Sequence, residues 1–402
     1  MVALTAIHDW VDAPGKVVSW SPSPACLKKV LDAPVSDAPA SYQQGQHIRS
    51  YRNHTANGLE MARLLIPAWN MPGKCDVRAM TFVINAYLRR HDTFHSWFEF
   101  ATDENGAEHL VRHTVENPND IQFVATKHGE MNSAQWKKHV LDTPPSPLEW
   151  DCFRFGVIQR EDHFTFYVSV DHLHADAMLM MALFVEMHMN YEALAGGGAP
   201  LRLPEAGSYQ EYCTRQHDYT KQLTMDSPDV RGWLEFLENN GGTMPTFPLP
   251  LGDPSVHCSG DLLTVQLMDE HETDRFESAC TAAGVRFIGG VFAAAAIAHR
   301  QVTGDDDYYV ITPRLPPAAP PRGVHDDGLV HRCGSAVGAG RRPQLRRGRA
   351  RCAGVLRPGG CRWPTCRSSG STSWRRPRRR RASARPVPVS RCCPTSTWAC
   401  RR

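Results

Sequence analysis

Residues 163–177 read HFTFYVSVDHLHADA, and they are the most informative stretch of this chain. Large apolar side chains from Phe164 to Val170 alternate with the hydroxyl-bearing side chains of Thr, Tyr and Ser. This period-two pattern is typical of a half-buried strand. The same parity continues to His172, so we expect its imidazole to point toward the buried side of that strand.

A helix should begin directly after this strand. Asp176 is a preferred N-cap residue, and it precedes the long apolar run MLMMALFVEMHMNYEAL at 178–194. Three glycines at 196–198 then provide a stop. The sequence therefore predicts a strand that delivers His172 to a turn, and an aspartate that closes the turn. A general base with a nearby orienting carboxylate needs this kind of arrangement.

Other segments predict further strands and helices. Residues 76–90 have apolar side chains at helical spacing, and the turn sequence DENG at 103–106 predicts a hairpin around it. Later in the chain, the pattern predicts a strand at 260–268 and a helix at 286–300. Mixed elements of this kind indicate an α/β fold built from α+β layers.

The formal net charge of +3 conceals two different kinds of sequence. Residues 314–402 hold 22 arginines, no lysine and only two acidic residues, which gives them a net charge of +20. Residues 1–313 carry −17 and have the mixture of residue types that is ordinary for a globular protein. The C-terminal segment also lacks Ile, Phe, Tyr and Met, so it has no apolar periodicity that could build a core.

Two interpretations of this C-terminal segment are open. Apart from Glu, its missing residue types have AT-rich codons, whereas its abundant Arg, Pro, Gly and Ala have GC-rich ones. This indicates a GC-rich gene read out of frame after about Pro313. The alternative is a basic, disordered arm that binds nucleic acid or anionic lipid. Such arms usually contain Lys and seldom this much Cys and Trp, so we favour the frameshift, with a disordered tail and no nucleic-acid partner.

We expect three segments along the chain: 1–240 as an N-terminal lobe, 241–313 as a linker and the start of a second lobe, and 314–402 as the tail. Glycine and proline are frequent in 240–256, which favours a linker there. The opening residues lack the basic start and long apolar stretch of a signal peptide. Cysteines before the tail are sparse and form no CxxC pair, so we expect a protein of the reducing cytoplasm.

Five short segments, in order, resemble the motifs of condensation domains and of chloramphenicol-acetyltransferase-like acyltransferases. The central one is the HxxxD signature formed by His172 and Asp176. All five segments are SYQQGQH at 41–47, RHDTFHSWF at 90–98, HLHAD at 172–176, SYQEY at 208–212 and TGDDDYYV at 303–310. Within that superfamily the chain is similar to the mycobacterial polyketide-associated acyltransferases, which build acylated trehalose lipids of the cell envelope.

The resemblance implies two lobes around a central tunnel, with a thioester donor entering from one face and an alcohol acceptor from the other. It implies a donor that is acyl-CoA or a polyketide synthase carrier domain, an acceptor of the trehalose type, and no cofactor or metal. Lipid products of this kind imply a cytoplasmic enzyme that works at the inner face of the membrane, in peripheral contact with it or with a lipid exporter.

The chain departs from the family pattern at four places. Asp171 stands where many condensation domains have a first histidine, and His95 replaces the second arginine of the RHExLRTxF motif. Ala177 replaces the usual Gly after the aspartate, which keeps a small side chain and a backbone N–H at this position. The DFGWG segment of the second lobe has no counterpart, so we expect a complete first lobe and a truncated second one.

The residues suggest a mechanism that agrees with this resemblance. A sugar hydroxyl is a poor nucleophile near neutral pH, and positioned proton transfer to an imidazole contributes roughly 10²–10⁴-fold. His172 is the candidate base, which takes the hydroxyl proton and then protonates the departing thiolate. Asp176 is expected to fix the turn and the ring. By resemblance, Arg90 is its ion-pair partner, and Ala177 supports the site.

Two rival interpretations remain. His172, His174 and Asp176 also form an HxHxD pattern, which resembles the core of metallo-β-lactamase-fold hydrolases, and strand parity allows both histidines to face one side. That pattern normally continues with a His, where this chain has Ala177. The second rival is a truncated, inactive remnant of an acyltransferase.

Overall fold

The structure is a computed structural model, and it describes residues 6–10, 13–253, 258–259, 263–305, 307–314, 332–336 and 397–398. The helices are α1 (Pro24–Leu31), α2 (Tyr42–Ala56), α3 (Val77–Arg90), α4 (Ser133–Asp142), α5 (Ala177–Ala195), α6 (Tyr209–Lys221), α7 (Pro228–Asn239), α8 (Glu270–Ala282) and α9 (Phe287–Thr303). The first eight strands are β1 (Gly15–Pro22), β2 (Leu64–Leu65), β3 (Ala68–Pro72), β4 (Ser96–Thr102), β5 (Glu108–Thr114), β6 (Phe123–Met131), β7 (Phe153–Gln159) and β8 (His163–Asp171). The remaining strands are β9 (Cys258–Ser259), β10 (Val310–Arg314), β11 (Arg332–Ala336) and β12 (Thr397–Trp398).

An antiparallel sheet forms the centre of the structure. Its strands follow the order β2-β8-β7-β1-β6, and β3 pairs with β8 on the same edge as β2. Strands β4 and β5 form the separate hairpin that the DENG turn predicts. The mixed α/β fold expected from the sequence is therefore confirmed.

Strand β8 is buried on both of its faces. Side chains from Phe164 to Val170 at even positions join the main core, which also contains residues of α3 and α5. At the odd positions, Tyr167 packs in a second cluster with Trp136 and Val140 of α4. The prediction of a half-buried strand is thus wrong, because helices cover the sheet on both sides.

Close packing at the centre of the sheet requires one glycine. Gly156 of β7 pairs with Tyr167 of β8. A Cβ added to Gly156 would lie 2.2 Å from the Tyr167 ring. The aromatic side chain therefore occupies the space that any larger residue at position 156 would need.

Aspartate side chains cap the starts of two helices. Asp76 accepts hydrogen bonds from the N–H groups of Arg78 and Ala79 at the start of α3, which confirms the helix predicted at 76–90. Asp176 caps α5, which ends at Gly196. Side-chain acceptors of this type satisfy backbone donors that a helix start leaves free.

Residues 263–305 are organised differently from the central sheet. Helices α8 and α9 pack together where Gly290 meets Cys280 and Phe276, and α9 confirms the helix predicted at 286–300. The strand predicted at 260–268 is wrong for 263–268, which have no regular structure, and 260–262 lie outside the described residues.

No helix in the described part of the chain is by itself long and apolar enough to cross a bilayer. The bent pair formed by α8 and α9, with 99° between the two helices, passes the same test when both are taken together, on length and composition only.

The predicted tail, 314–402, lies mostly outside the described residues. Its described parts are Arg314, which ends β10, and the short strands β11 and β12. Strand β11 pairs with β10, and β12 pairs with β9, so these few residues differ from the disorder predicted for the whole tail.

Candidate active site

The turn between β8 and α5 exposes one histidine. His172 is exposed, whereas Asp171, Leu173, His174 and Asp176 are all buried. The prediction that His172 continues the parity of the strand is wrong, because β8 ends at Asp171 and a turn follows. The side chain of His172 is therefore accessible to solvent, although the residues directly before and after it are buried.

A buried carboxylate lies directly before His172. Asp171 is fully buried, with Oδ2 2.7 Å from Nη1 of Arg63 and Oδ1 2.7 Å from Nε2 of His47. The N–H of Leu173 donates to the same Oδ1 at 2.9 Å. Burial acts to raise the pKa of Asp171, but the hydrogen bonds and charges of His47 and Arg63 lower it below its usual value. The carboxylate is therefore ionised and well partnered.

This ion pair fixes the backbone on both sides of His172. The N–H of His172 donates to the carbonyl of Arg63 at 2.8 Å, and the N–H of His174 donates to the carbonyl of Asp171 at 3.0 Å. The side chain of Gln44 donates to the carbonyl of Leu173 at 3.3 Å. Since the pairing of β2 with the end of β8 brings Arg63 to this place, sheet register and side-chain charge hold the same turn.

His174 points away from the exposed side. Its side chain is buried between the rings of Phe94 and Phe153, and its Nδ1 lies 3.5 Å from the hydroxyl of Thr93. Burial lowers the pKa of His174 to about 4, although Asp171 acts in the opposite direction. This imidazole is therefore neutral near pH 7 and forms part of the core.

The environments of the two histidines argue against an HxHxD metal site. His172 is exposed and His174 is 1% exposed, so they do not face one side as strand parity allowed. Within the ranges that the structure describes, no three His, Cys, Asp or Glu side chains are grouped to hold a metal ion. The metallohydrolase interpretation is thus wrong in its geometry.

Asp176 performs the structural task expected of it. Its Oδ1 accepts a hydrogen bond of 2.9 Å from the N–H of Leu179, which is the N-cap contact of α5. Ala177 is the first residue of α5, and its backbone adopts the helical conformation there. The N-cap contact therefore fixes the start of α5, four residues after His172.

Arg90 pairs with Glu186 instead of the predicted Asp176. Its Nε lies 3.3 Å from Oε2 of Glu186, and Nε2 of His91 lies 3.0 Å from the same oxygen. Burial acts to raise the pKa of Glu186, but the hydrogen bonds and charges of His91 and Arg90 outweigh burial. The pKa of Glu186 therefore lies below its usual value. Glu186 is about 15 Å along α5 from the cap, because each helical residue advances about 1.5 Å. Arg90 therefore joins α3 to the middle of α5, and it lines a cavity of about 490 Å³ there.

Three of the sequence motifs meet beside the turn. Asp92 accepts hydrogen bonds from the hydroxyl of Ser208 at 2.7 Å and from the N–H of Tyr209 at 2.8 Å, so it helps to cap α6. The hydroxyl of Tyr209 donates to the hydroxyl of Ser41 at 2.9 Å, and Ser41 caps α2 through Gln44. These hydrogen bonds between motif residues fix the starts of α2 and α6 beside the turn.

His47 and Arg63 were not found by the sequence reasoning. His47 lies inside the first motif, but nothing local indicates that it contacts β8. One signal was available, since an acidic residue at the end of an apolar strand needs a cation when it is buried. That signal does not say which cation pairs with it.

A family model described as condensation domain matches residues 67–314, which include β8, the His172 turn and α5. The chain belongs to the condensation-domain family. The resemblance predicted from the five motifs is therefore confirmed.

Named relatives are found among mycobacterial acyltransferases. The chain is 56% identical over 313 residues to 2'-acyl-2-O-sulfo-trehalose (hydroxy)phthioceranyltransferase PapA1 of Mycobacterium tuberculosis, a match that covers 78% of this chain and 60% of that protein. It is 53% identical over 312 residues to trehalose-2-sulfate acyltransferase PapA2 of Mycobacterium bovis, covering 78% of this chain and 65% of the relative. The chain thus spans less than two thirds of the length of these relatives.

Solved structures give the same result for the fold. PapA2 acyl transferase matches with a TM-score of 0.71 and 53% identity, over 76% of this chain and 66% of that one. The first condensation domain of the CDA synthetase matches with a TM-score of 0.51 and 15% identity, over 76% of this chain and 70% of the other. The chloramphenicol-acetyltransferase-like fold expected from the motifs is confirmed.

Proposed function

We propose that this chain transfers a long-chain or polyketide-derived fatty acyl group from a thioester to a hydroxyl of a trehalose-type glycolipid. The observation that carries the proposal is the exposed imidazole of His172 on a turn whose other side chains are buried. The names of the PapA1 and PapA2 relatives support acyl transfer and the trehalose-type acceptor.

His172 acts as the general base in this proposal. It removes the proton of the acceptor hydroxyl as that oxygen attacks the thioester carbonyl carbon, which forms a C–O bond. The C–S bond then breaks, and the imidazolium returns the proton to the departing thiolate. No covalent acyl-enzyme intermediate is needed, because the acyl group passes directly to the acceptor.

Burial around His172 supports its orientation for this task. The Arg63–Asp171 ion pair and the Asp176 cap hold the backbone before and after the imidazole. A fixed base contributes because proton transfer requires the accepting nitrogen within hydrogen-bond reach of the hydroxyl. Asp176 and Ala177 thus support the site through the turn, while Arg90 supports it through helix packing.

The partners in this proposal follow from the reaction. Acyl-CoA or an acyl-carrier domain of a polyketide synthase supplies the thioester as a substrate, so the chemistry itself needs no cofactor. The acyl donor and the glycolipid product are lipids, so we place the reaction in the cytoplasm at the inner face of the membrane. A lipid exporter there would receive the product.

An inactive remnant is the second candidate. It is favoured by the change in composition after Pro313. A remnant would keep the packed lobe without turnover. The two candidates therefore differ in activity and agree in fold.

Product analysis separates the two. The full chain is incubated with palmitoyl-CoA and either trehalose or trehalose-2-sulfate, and the acylated sugar is identified by mass spectrometry. We expect an ester product from the wild type and none above background from His172→Ala. The control is His188→Ala, which removes a partly exposed imidazole from α5 and should keep the activity. A folded wild-type protein that yields no ester would favour the remnant.

A further inference from the structure

A second imidazole lies beside His172. The ring centroids of His47 and His172 are 6.3 Å apart, with 47° between the ring planes. The side chain of His47 is 14% exposed, so it is partly open to the outside, as is the turn that carries His172. Helix α2 brings it there, since Gln44 and His47 lie three residues apart and both reach the turn.

Asp171 determines how His47 is oriented. The carboxylate of Asp171 is ionised and accepts from Nε2 of His47 at 2.7 Å, so that nitrogen must carry the proton. The other ring nitrogen, Nδ1, takes no part in this contact. Among the residues that the structure describes, no protein group is hydrogen-bonded to this Nδ1. One side of the ring is thus anchored, and the other is available.

The distance between the rings of His47 and His172 is compatible with a small polar group that contacts both of them. Two hydrogen bonds of about 2.8 Å each can join nitrogen atoms as far as about 5.6 Å apart through one oxygen. The ring centroids are 6.3 Å apart, which is of the same order as this span. A sugar that presents neighbouring hydroxyls is therefore of a size to meet both rings.

We infer that His47 binds the acceptor, with its Nδ1 hydrogen-bonded to a hydroxyl of the sugar while His172 removes the proton of the reacting hydroxyl. This inference rests on the proposed function, which requires an alcohol acceptor at His172. It assigns Asp171 two tasks, because this carboxylate fixes the turn through Arg63 and orients the ring of His47. His47 therefore contributes to the specificity for a polyol over a simple alcohol.

The substitution His47→Gln tests this role. A glutamine amide can donate to Asp171 from nearly the position of Nε2, so the buried carboxylate keeps its partner, whereas the Nδ1 atom and its hydrogen bond to the sugar are lost. We expect an unchanged melting temperature and a KM for trehalose raised at least about tenfold, with the KM for palmitoyl-CoA unchanged. His54→Gln removes another α2 imidazole, which contacts the carbonyl of Ser50, and should leave both constants unchanged.

Different results have different consequences. The inference would be overturned if His47→Gln had wild-type KM values, or if its KM rose equally for trehalose and for palmitoyl-CoA. A folded wild type without turnover would overturn the proposed function and this inference with it. Histidine ring NMR of the wild type covers the case in which His47→Gln fails to fold. Trehalose should shift the signals of at least two imidazoles, one of which disappears in His172→Ala; a shift of His172 alone overturns the inference.

Discussion

Two regions of this chain differ in how far their apolar side chains are buried. Residues 13–240, the packed region, place aromatic and aliphatic side chains of the central sheet between helices. The described residues of 241–305, the exposed region, leave many of theirs open to solvent. The exposed set includes Phe247, Leu249, Leu251, Leu263, Val265, Leu267, Ile288, Val291, Ile297 and Val302.

The residues around the candidate base all lie in the packed region. His172, Asp171, Arg63 and His47 all belong to the packed region, and so do the helices that fix them. In the described helices α8 and α9, the buried residues are Cys280 and Gly290. The contacts that position the candidate base therefore lie within the packed region, and the apolar surface of the exposed region adds little to stability.

Replacing a phenylalanine by alanine should change the free energy of unfolding very differently in the two regions. Phe155 is fully buried, and Phe155→Ala should lower the free energy of unfolding by about 3–5 kcal/mol. The matched substitution Phe247→Ala removes a side chain that is 61% exposed and should cost about 0.5 kcal/mol or less. Urea unfolding followed by circular dichroism measures both values. Equal losses would contradict the contrast.

Acid should destabilise the packed region through His174. Burial lowers the pKa of His174 from 6.5 to about 4, so between these values the unfolded chain binds a proton that the folded chain does not. Stability from this group is complete above pH 6.5 and is lost as the pH falls toward 4, by roughly 3 kcal/mol. Urea unfolding at pH 7 and pH 4.5 measures the loss. It should be smaller in His174→Gln, and an unchanged loss would show that another group is responsible.

A smaller contrast is expected inside the exposed region. A Cβ on Gly290 would lie 2.4 Å from Sγ of Cys280, whereas one on Gly289 would lie 3.7 Å from Val285. Gly290→Ala should therefore cost about 1–3 kcal/mol by overpacking. Gly289→Ala should be neutral or slightly stabilising, because alanine favours a helix interior. Thermal unfolding of the two variants gives the comparison, and similar melting temperatures would mean that α8 and α9 do not pack as described.

Local patterns were sufficient to predict the elements around the site. The alternation in β8, the Asp176 cap and the glycines after α5 are all short-range signals, and each led to the correct element. The orientation of His172 was missed, because parity holds only while the strand continues, and β8 ends one residue earlier. A pattern cannot predict that termination when the next residues are also compatible with a strand.

Long-range pairing explains the other failures. Arg63 meets Asp171 only because β2 pairs with the end of β8, 108 residues later. Arg90 was assigned to Asp176 by family resemblance, but the packing of α3 on α5 brings it to Glu186. Register and helix packing determine such contacts, and neither can be derived from the spacing of residues in one segment.

The rate of CoA release from palmitoyl-CoA, measured with and without trehalose, tests the central claim most directly. That claim is that the packed region holds His172 as an accessible base for acyl transfer. The wild-type chain should release CoA in a trehalose-dependent manner, and His172→Ala should reduce that rate by roughly 10²–10⁴-fold while keeping its fold. Trehalose-dependent release at the wild-type rate in folded His172→Ala would contradict it.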